Sequence, residues 1–265
     1  MSNGSSAVKI TAKTALKNNW VSSIVSLCIV IFSVFIFSNC CAIIETVAGG
    51  YISFAVMLLF LIFIILPLFL GLLRFFWRML FSAKDKPISV FYFFSNNVNY
   101  KRALQLILLY TLKFAIWGAI LYIPVLIVKL MSQDFIYNFV NMPIPVWTAN
   151  LTTVISFLKI FSFVLIWFIM IRFYLAPVLF VSNDEIEPAE TMHMSIIISK
   201  KSATDFIYLM FSFLGWILLS VFVVPIIFTV PYIITAYLVH SRFAIAEYNK
   251  HIKLSADNSF PSFTV

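Results

Sequence analysis

Two basic residues lie inside long apolar runs, where a charge is costly. Lys113 falls in the third such run and Arg172 in the fourth, and at 1.5 Å per residue each should lie roughly 15 Å from the same side. Because these runs contain no carboxylate, the candidate partners are backbone carbonyls, water, Tyr110, Tyr174 or a bound anion such as a lipid phosphate. We therefore predict a ligand-binding site at Lys113, Arg172 and Tyr174. The alternative is that both long side chains extend to the inner headgroups.

Groups that support catalysis or metal binding are sparse. The chain has ten Asp and Glu residues and three histidines, and it contains none of the HExxH, GxSxG or Walker motifs. Asp184, Glu185, Glu187 and Glu190 form a candidate divalent-metal site, but acids are also expected where Pro188 begins a helix, because of the helix dipole. Three cysteines without a spacing pattern do not make a disulfide framework. We predict no catalytic residues, no metal and no cofactor.

Composition excludes a soluble protein. Hydrophobic residues make up 63% of the 265 residues and charged residues 11%, against about 45–50% and 25% in soluble domains. The net charge is +8, and most Lys and Arg residues lie between the apolar runs. This distribution is typical of a topology signal and of attraction to anionic lipids, so we expect no nucleic-acid partner.

The apolar runs predict an all-α, polytopic membrane helix bundle with six transmembrane helices and both termini cytoplasmic. Residues 1–8 are predicted to be disordered, 9–243 to form a single membrane domain, and 244–265 to be a polar cytoplasmic tail. A short amphipathic helix over residues 9–19 should place Lys9, Lys13 and Lys17 at the headgroups. The predicted spans are 21–44, 51–73, 103–128, 155–181, 206–223 and 226–241.

The last two spans come from one apolar stretch with basic residues on both flanks. A single helix over 206–239 would be roughly 50 Å long, well above the hydrocarbon thickness of about 30 Å. Basic flanks on both sides require the chain to return to the side from which it entered. We therefore predict a turn near Val224-Pro225, where proline interrupts the helix.

An ordered set of short segments covers most of residues 9–248. They are ALKNNW at 15–20, Pro67 and Gly71, Arg172-Phe173-Tyr174, Ala176-Pro177, Asn183, Ala189, Ser195, Phe213 with Gly215-Trp216, and Pro231-Tyr232. The set resembles a bacterial integral-membrane family catalogued as domain of unknown function nine-seventy-five, and more distantly the membrane domain of some glycerophosphodiester phosphodiesterases. One departure is SKKSATDF at 199–206, where the family has a Gly-Asn-x-Trp-like segment. The resemblance implies six helices and a bacterial cell membrane, but no activity.

Two functional hypotheses follow. The first is a non-enzymatic cell-membrane protein that binds an amphiphile, a membrane lipid or a membrane partner, including a second copy, in an accessory, immunity or assembly role. The alternative is a transporter or channel for a small anionic or amphiphilic solute, with Lys113 and Arg172 in its path. A water-filled path to these cations would favour transport, and a lipid-filled groove would favour binding.

Overall fold

The computed structural model describes residues 2–81, 85–138, 145–219 and 223–259, and these residues form an all-helical protein with no strand. A π-helical turn at Leu61–Ile65 joins α3 to α4, and two 3-10 turns lie at Pro87–Phe91 and Ile171–Phe173. The α-helices are α1 Ser2–Leu16, α2 Trp20–Ala48, α3 Gly50–Phe60, α4 Leu66–Leu80, α5 Tyr92–Ser95, α6 Asn97–Asn138, α7 Pro145–Met170, α8 Ala176–Ser182, α9 Pro188–Phe211, α10 Leu214–Leu219 and α11 Val223–Ser259.

Five stretches of the described residues are long and apolar enough to cross a membrane. The predicted all-helical class is confirmed, and the first four stretches coincide in position with the first four predicted spans. The five are Trp20–Val47, Gly50–Leu80, Asn97–Leu130, Thr153–Ser182 and Pro225–Lys250.

The chain forms two compact units. The second unit, 108–172, contains most of α6 and α7, which we call the second hairpin. The first unit contains residues 1–107 and 173–265. Within it, α2 and α3–α4 form the first hairpin, residues 20–80. The turn of this hairpin is at Gly49, whose φ of +86° lies in the left-handed region that glycine adopts readily.

One buried cluster of the first unit forms where α1 packs against α11. Val8, Ala12 and Leu16 are spaced four residues apart, so they share one face of α1, and all three are buried. This spacing explains why the segment is helical, since burial of one apolar face stabilises a short helix more than its intrinsic propensity does. Val8 and Ala12 join a buried cluster with Leu209, Phe213, Ala236 and Val239, against which Leu80, Tyr232 and Ile233 also pack.

The structure divides the segment predicted as the fifth span, 206–223. Its first residues complete α9, a turn follows at Ser212 and Phe213, and α10 begins at Leu214. The Ser212 hydroxyl donates to the Leu209 carbonyl at 2.6 Å, and its own N–H donates to the Tyr208 carbonyl. Pro225 lies in the first turn of α11, where its missing N–H costs nothing. The chain immediately before it, residues 220–222, lies outside the described residues, and so does that part of the predicted turn.

Both ends of the chain are more helical than predicted. The segment predicted to be disordered, 1–8, is helical from Ser2, because α1 continues upstream of the buried Val8. The predicted polar tail is helical through Ser259, because α11 extends beyond its apolar part. Residues 260–265 lie outside the described residues.

Candidate functional site

One hydrogen bond sets the register of the second hairpin. The Ser162 hydroxyl of α7 donates to the Leu121 carbonyl of α6 at 2.8 Å, so these two residues lie at the same level. Lys113 precedes Leu121 by eight residues and Arg172 follows Ser162 by ten. In an antiparallel pair both steps lead away from the connecting segment, by about 12 Å for Lys113 and by about 16 Å for Arg172, since the last two residues of the second step lie in the 3-10 turn at Ile171–Phe173. Lys113 and Arg172 are therefore within about 4 Å of the same level.

The same register places the two cations on one side of the hairpin. At about 100° per residue in an α-helix and about 120° in the 3-10 turn, Lys113 is rotated about 80° from Leu121, and Arg172 about 40° from Ser162. Because the helices run in opposite directions, these rotations turn toward the same side. Both side chains are exposed in the structure. We call this arrangement the Lys113–Arg172 pair.

A second pair of cations lies toward the other end of the hairpin. Lys129 and Lys159 are exposed and, by the same geometry, both turn to the opposite side. Their levels differ by about 7.5 Å, nearly twice the offset of the first pair. Residues 114–128 and 160–171, which separate the two pairs, carry no charge. Lys113 and Lys129 are about 24 Å apart along α6. Extended side chains can increase the separation of their charged groups to about 30 Å, the thickness of the hydrocarbon core of a bilayer.

Tyr174, the third predicted site residue, belongs to the core of the first unit. It is 7% exposed, and its hydroxyl donates to Ser202 Oγ at 2.8 Å. Its ring stacks on Phe206 with centroids 4.2 Å apart, and its carbonyl accepts a hydrogen bond from the Tyr237 hydroxyl. These contacts give Tyr174 a role in packing within its own unit.

A salt bridge that sequence analysis did not predict joins the end of the first hairpin to the loop after α8. Both terminal nitrogens of Arg74 donate to the carboxylate of Asp184, Nη2 at 2.8 Å. The guanidinium carbon lies 3.7 Å from the centroid of the Tyr92 ring. The hydrogen bond from Arg74 is the main cause that holds the pKa of Asp184 below its ordinary value, against an opposing effect of partial burial.

Arg102 adds a second anchor to the same loop. Its Nη2 donates to the Ile186 carbonyl at 2.8 Å, and its guanidinium lies 5.5 Å from the centroid of Phe180. The loop between α8 and α9 is thus held by arginines from α4 and α6. Arg74 and Asp184 are 110 residues apart in the chain. In the sequence, Asp184 follows one predicted span and Arg74 follows another. The preference of basic residues for the cytoplasmic ends of spans already explains such a position for arginine, so the sequence did not indicate the pairing.

The acidic cluster does not form a metal site among the described residues, where no group of three His, Cys, Asp or Glu side chains has metal-binding geometry. Asp184 is paired with Arg74, and the Asn183 side chain accepts a hydrogen bond from the Glu185 N–H at 2.9 Å. Pro188 begins α9 and Glu190 lies in its first turn, so the helix start after Glu187 was predicted correctly.

The chain was also compared with known proteins. No protein-family model, no curated protein and no solved structure matches it. The resemblance to the family of unknown function therefore stays a prediction, and the Lys113–Arg172 pair is the strongest candidate site.

Proposed function

We propose that this protein is a non-enzymatic multi-pass membrane protein that binds an anionic amphiphile, with the phosphate held by the Lys113–Arg172 pair. The observation that supports the proposal is the Ser162–Leu121 hydrogen bond, from which helix geometry puts these two exposed cations at a common level and on a common side of the second hairpin. Arg offers a planar fork that matches two phosphate oxygens, and Lys adds a mobile point charge. Together they suit one phosphate group.

The surroundings of the pair favour a lipid as the source of that phosphate. The apolar side chains on both helices of the second hairpin are largely exposed, including Phe114, Ile116, Phe168 and Trp167. A ligand at the pair would therefore contact apolar side chains along its length as well as cations at its head. Acyl chains and a phosphate headgroup provide both types of contact.

We further propose a bacterial cell-membrane location with both termini in the cytoplasm. Each hairpin enters and leaves on one side, so four crossings, or six if residues 206–223 and 226–241 cross as a pair, return the chain to that side. The basic residues around the starts of α2 and α6 favour the cytoplasm for that side. A membrane protein or a second copy of the chain remains an alternative partner for the exposed hairpin.

Native mass spectrometry of the delipidated protein tests this function. Phosphatidylglycerol should bind more tightly than phosphatidylcholine, and the double variant Lys113→Gln/Arg172→Gln should weaken the tightest phosphatidylglycerol site at least tenfold, because about 1.5–3 kcal/mol is lost per charge-assisted hydrogen bond. The matched control is Lys129→Gln/Lys159→Gln, which removes the same two charges from cations that do not share a level. Equal affinity of both double variants for phosphatidylglycerol would refute the proposal.

Two further arms of this experiment separate the sources of the ligand. Millimolar inorganic phosphate should not displace phosphatidylglycerol, because it lacks acyl chains that bury apolar surface. Complete displacement would instead indicate a soluble anion and favour the transporter alternative. In that case anion uptake into proteoliposomes should depend on Lys113 and Arg172.

A further inference from the structure

Helix α11 contacts the first hairpin near its start and, further on, Phe81, the residue directly after that hairpin. Near its start, the Phe228 ring lies 5.8 Å from the Trp20 ring. In its middle, Ala236 and Val239 belong to a larger buried cluster that also includes Val8 and Ala12, and Leu80 packs against that cluster as a whole. Further on, the Arg242 guanidinium lies 4.7 Å from the Phe81 ring. Along α11 these contacts extend over 14 residues, which is about 21 Å.

The hairpin residues in these contacts all lie at one end of the hairpin. The Ser23 hydroxyl donates to Met79 Sδ at 3.4 Å, so residues 20–23 and 79–81 share nearly one level. They cover only about 5 Å along the hairpin axis. If α11 ran parallel to the hairpin, residues about 21 Å apart along α11 would contact hairpin residues about 21 Å apart along the hairpin axis. Helix α11 therefore runs across the end of the first hairpin and not alongside it.

Helix α1 lies against α11 and carries a basic outer face. Its buried face is Val8 and Ala12, which pack against Ala236 and Val239 of α11. On the opposite face Lys13 is exposed and Ile10 is 65% exposed, and Lys17, directly after the last residue of α1, is exposed on the same side. Lysines beside an exposed isoleucine are typical of a helix at a lipid interface, where apolar side chains enter the acyl boundary and ammonium groups meet phosphates.

We infer that α11 lies along the membrane surface at the end of the first hairpin, and that α1, packed on it, docks its Lys13 and Lys17 face onto the anionic headgroups of that leaflet. The occupant of this face is the headgroup layer, because its negative charge complements the two exposed lysines and its depth admits Ile10. The surface belongs to the first unit and uses cations other than the Lys113–Arg172 pair, so it goes beyond the proposed function.

The middle of α11 is buried by protein. Residues 235, 236 and 238–241 are all buried, and within this run Thr235 and Ser241 donate to the carbonyls of Pro231 and Tyr237. Protein therefore covers α11 on most sides of its middle, as expected for a helix held between α1, α4 and α9. Its length and composition would also permit a membrane crossing, and this is the competing arrangement.

Cysteine accessibility separates the two arrangements. In a chain with Cys28, Cys40 and Cys41 replaced by serine, Ile226→Cys should react with an impermeant maleimide from the side on which Lys17→Cys reacts. Thr46→Cys, near the turn of the first hairpin, should react from the opposite side. Labelling of Ile226→Cys from the side of Thr46→Cys, or from neither side, would overturn the placement of α11.

Hydrogen–deuterium exchange of the full chain in nanodiscs tests the docking of α1. Backbone amides of α1 should exchange more slowly in phosphatidylglycerol than in phosphatidylcholine, by about fivefold for each lysine at the anionic surface. Lys13→Gln/Lys17→Gln should abolish this difference, whereas Lys13→Arg/Lys17→Arg, the control that keeps the charge, should retain it. Equal exchange of wild-type α1 in both lipids would refute docking. Lys113→Gln/Arg172→Gln should leave α1 exchange unchanged, so failure here is distinct from failure of the proposed function.

Discussion

Replacement of Gly71 by alanine tests the packing of the first unit most sharply. A Cβ atom at this position would lie 1.8 Å from the carbonyl oxygen of Val90 and 2.8 Å from its carbonyl carbon. Val90 is fully buried in the 3-10 turn that packs against α4. Glycine is required here because the backbone of the turn approaches the helix too closely for any side chain.

The geometry gives the size of the effect. Ordinary van der Waals contact would require α4 and the turn to separate by about 1.5 Å, and overpacking of a core typically costs about 1–3 kcal/mol. Because the obstacle is backbone, which cannot rotate away, we expect the upper end of this range. Alanine offsets about 1 kcal/mol through its better helix propensity. The expected net destabilisation is about 2 kcal/mol.

Unfolding in detergent micelles, followed by circular dichroism, measures this change. Gly118→Ala is the matched control, because a Cβ at Gly118 in α6 has no atom within 4 Å. It should leave the free energy of unfolding unchanged or raise it by up to about 1 kcal/mol. Gly71→Ala as stable as Gly118→Ala would show that α4 and the turn do not pack as described.

Three further predictions concern individual interactions. Asp184→Asn should lower the free energy of unfolding by about 1–2 kcal/mol at neutral pH, since the carboxylate is 47% exposed and solvent weakens its bond to Arg74. Because folding lowers the pKa of Asp184, its carboxylate stabilises the folded protein fully above the ordinary carboxyl pKa, and this stabilisation is lost as pH falls through the lower folded pKa. Below about pH 4 the free energy of unfolding should therefore depend less steeply on pH in Asp184→Asn than in the wild type. Tyr237→Phe should cost about 1 kcal/mol in thermal unfolding, because its hydroxyl donates to the buried Tyr174 carbonyl. Arg172→Lys should keep expression and stability but weaken phosphatidylglycerol binding in native mass spectrometry, because Lys cannot form the forked contact; unchanged binding would show that charge alone acts there.

Sequence patterns predicted the helical class because continuous apolar runs are a local property. The four stretches from Trp20 to Ser182 that can cross a membrane coincide in position with predicted spans. The region after Glu187 was harder to predict. There, a turn was predicted near Val224-Pro225; α10 ends at Leu219 and α11 begins at Val223, and residues 220–222 between them lie outside the described residues.

The candidate site was predicted only in part, because pairing between distant segments leaves little trace in one sequence. The common level of Lys113 and Arg172 followed from the alternation of spans, and the Ser162–Leu121 hydrogen bond supports it. The packing of Tyr174 against Phe206 depends on how α9 folds back, which no local pattern encodes.

The most direct test of amphiphile binding is a cryo-electron microscopy structure of the chain in phosphatidylglycerol nanodiscs. The proposal predicts headgroup density within hydrogen-bonding distance of both the Arg172 guanidinium and Lys113 Nζ, continuous with acyl density along α6 and α7. The same map of Lys113→Gln/Arg172→Gln should lack this density. Lys113 and Arg172 directed to different sides of the hairpin, or equal lipid density in the wild type and the double variant, would contradict it.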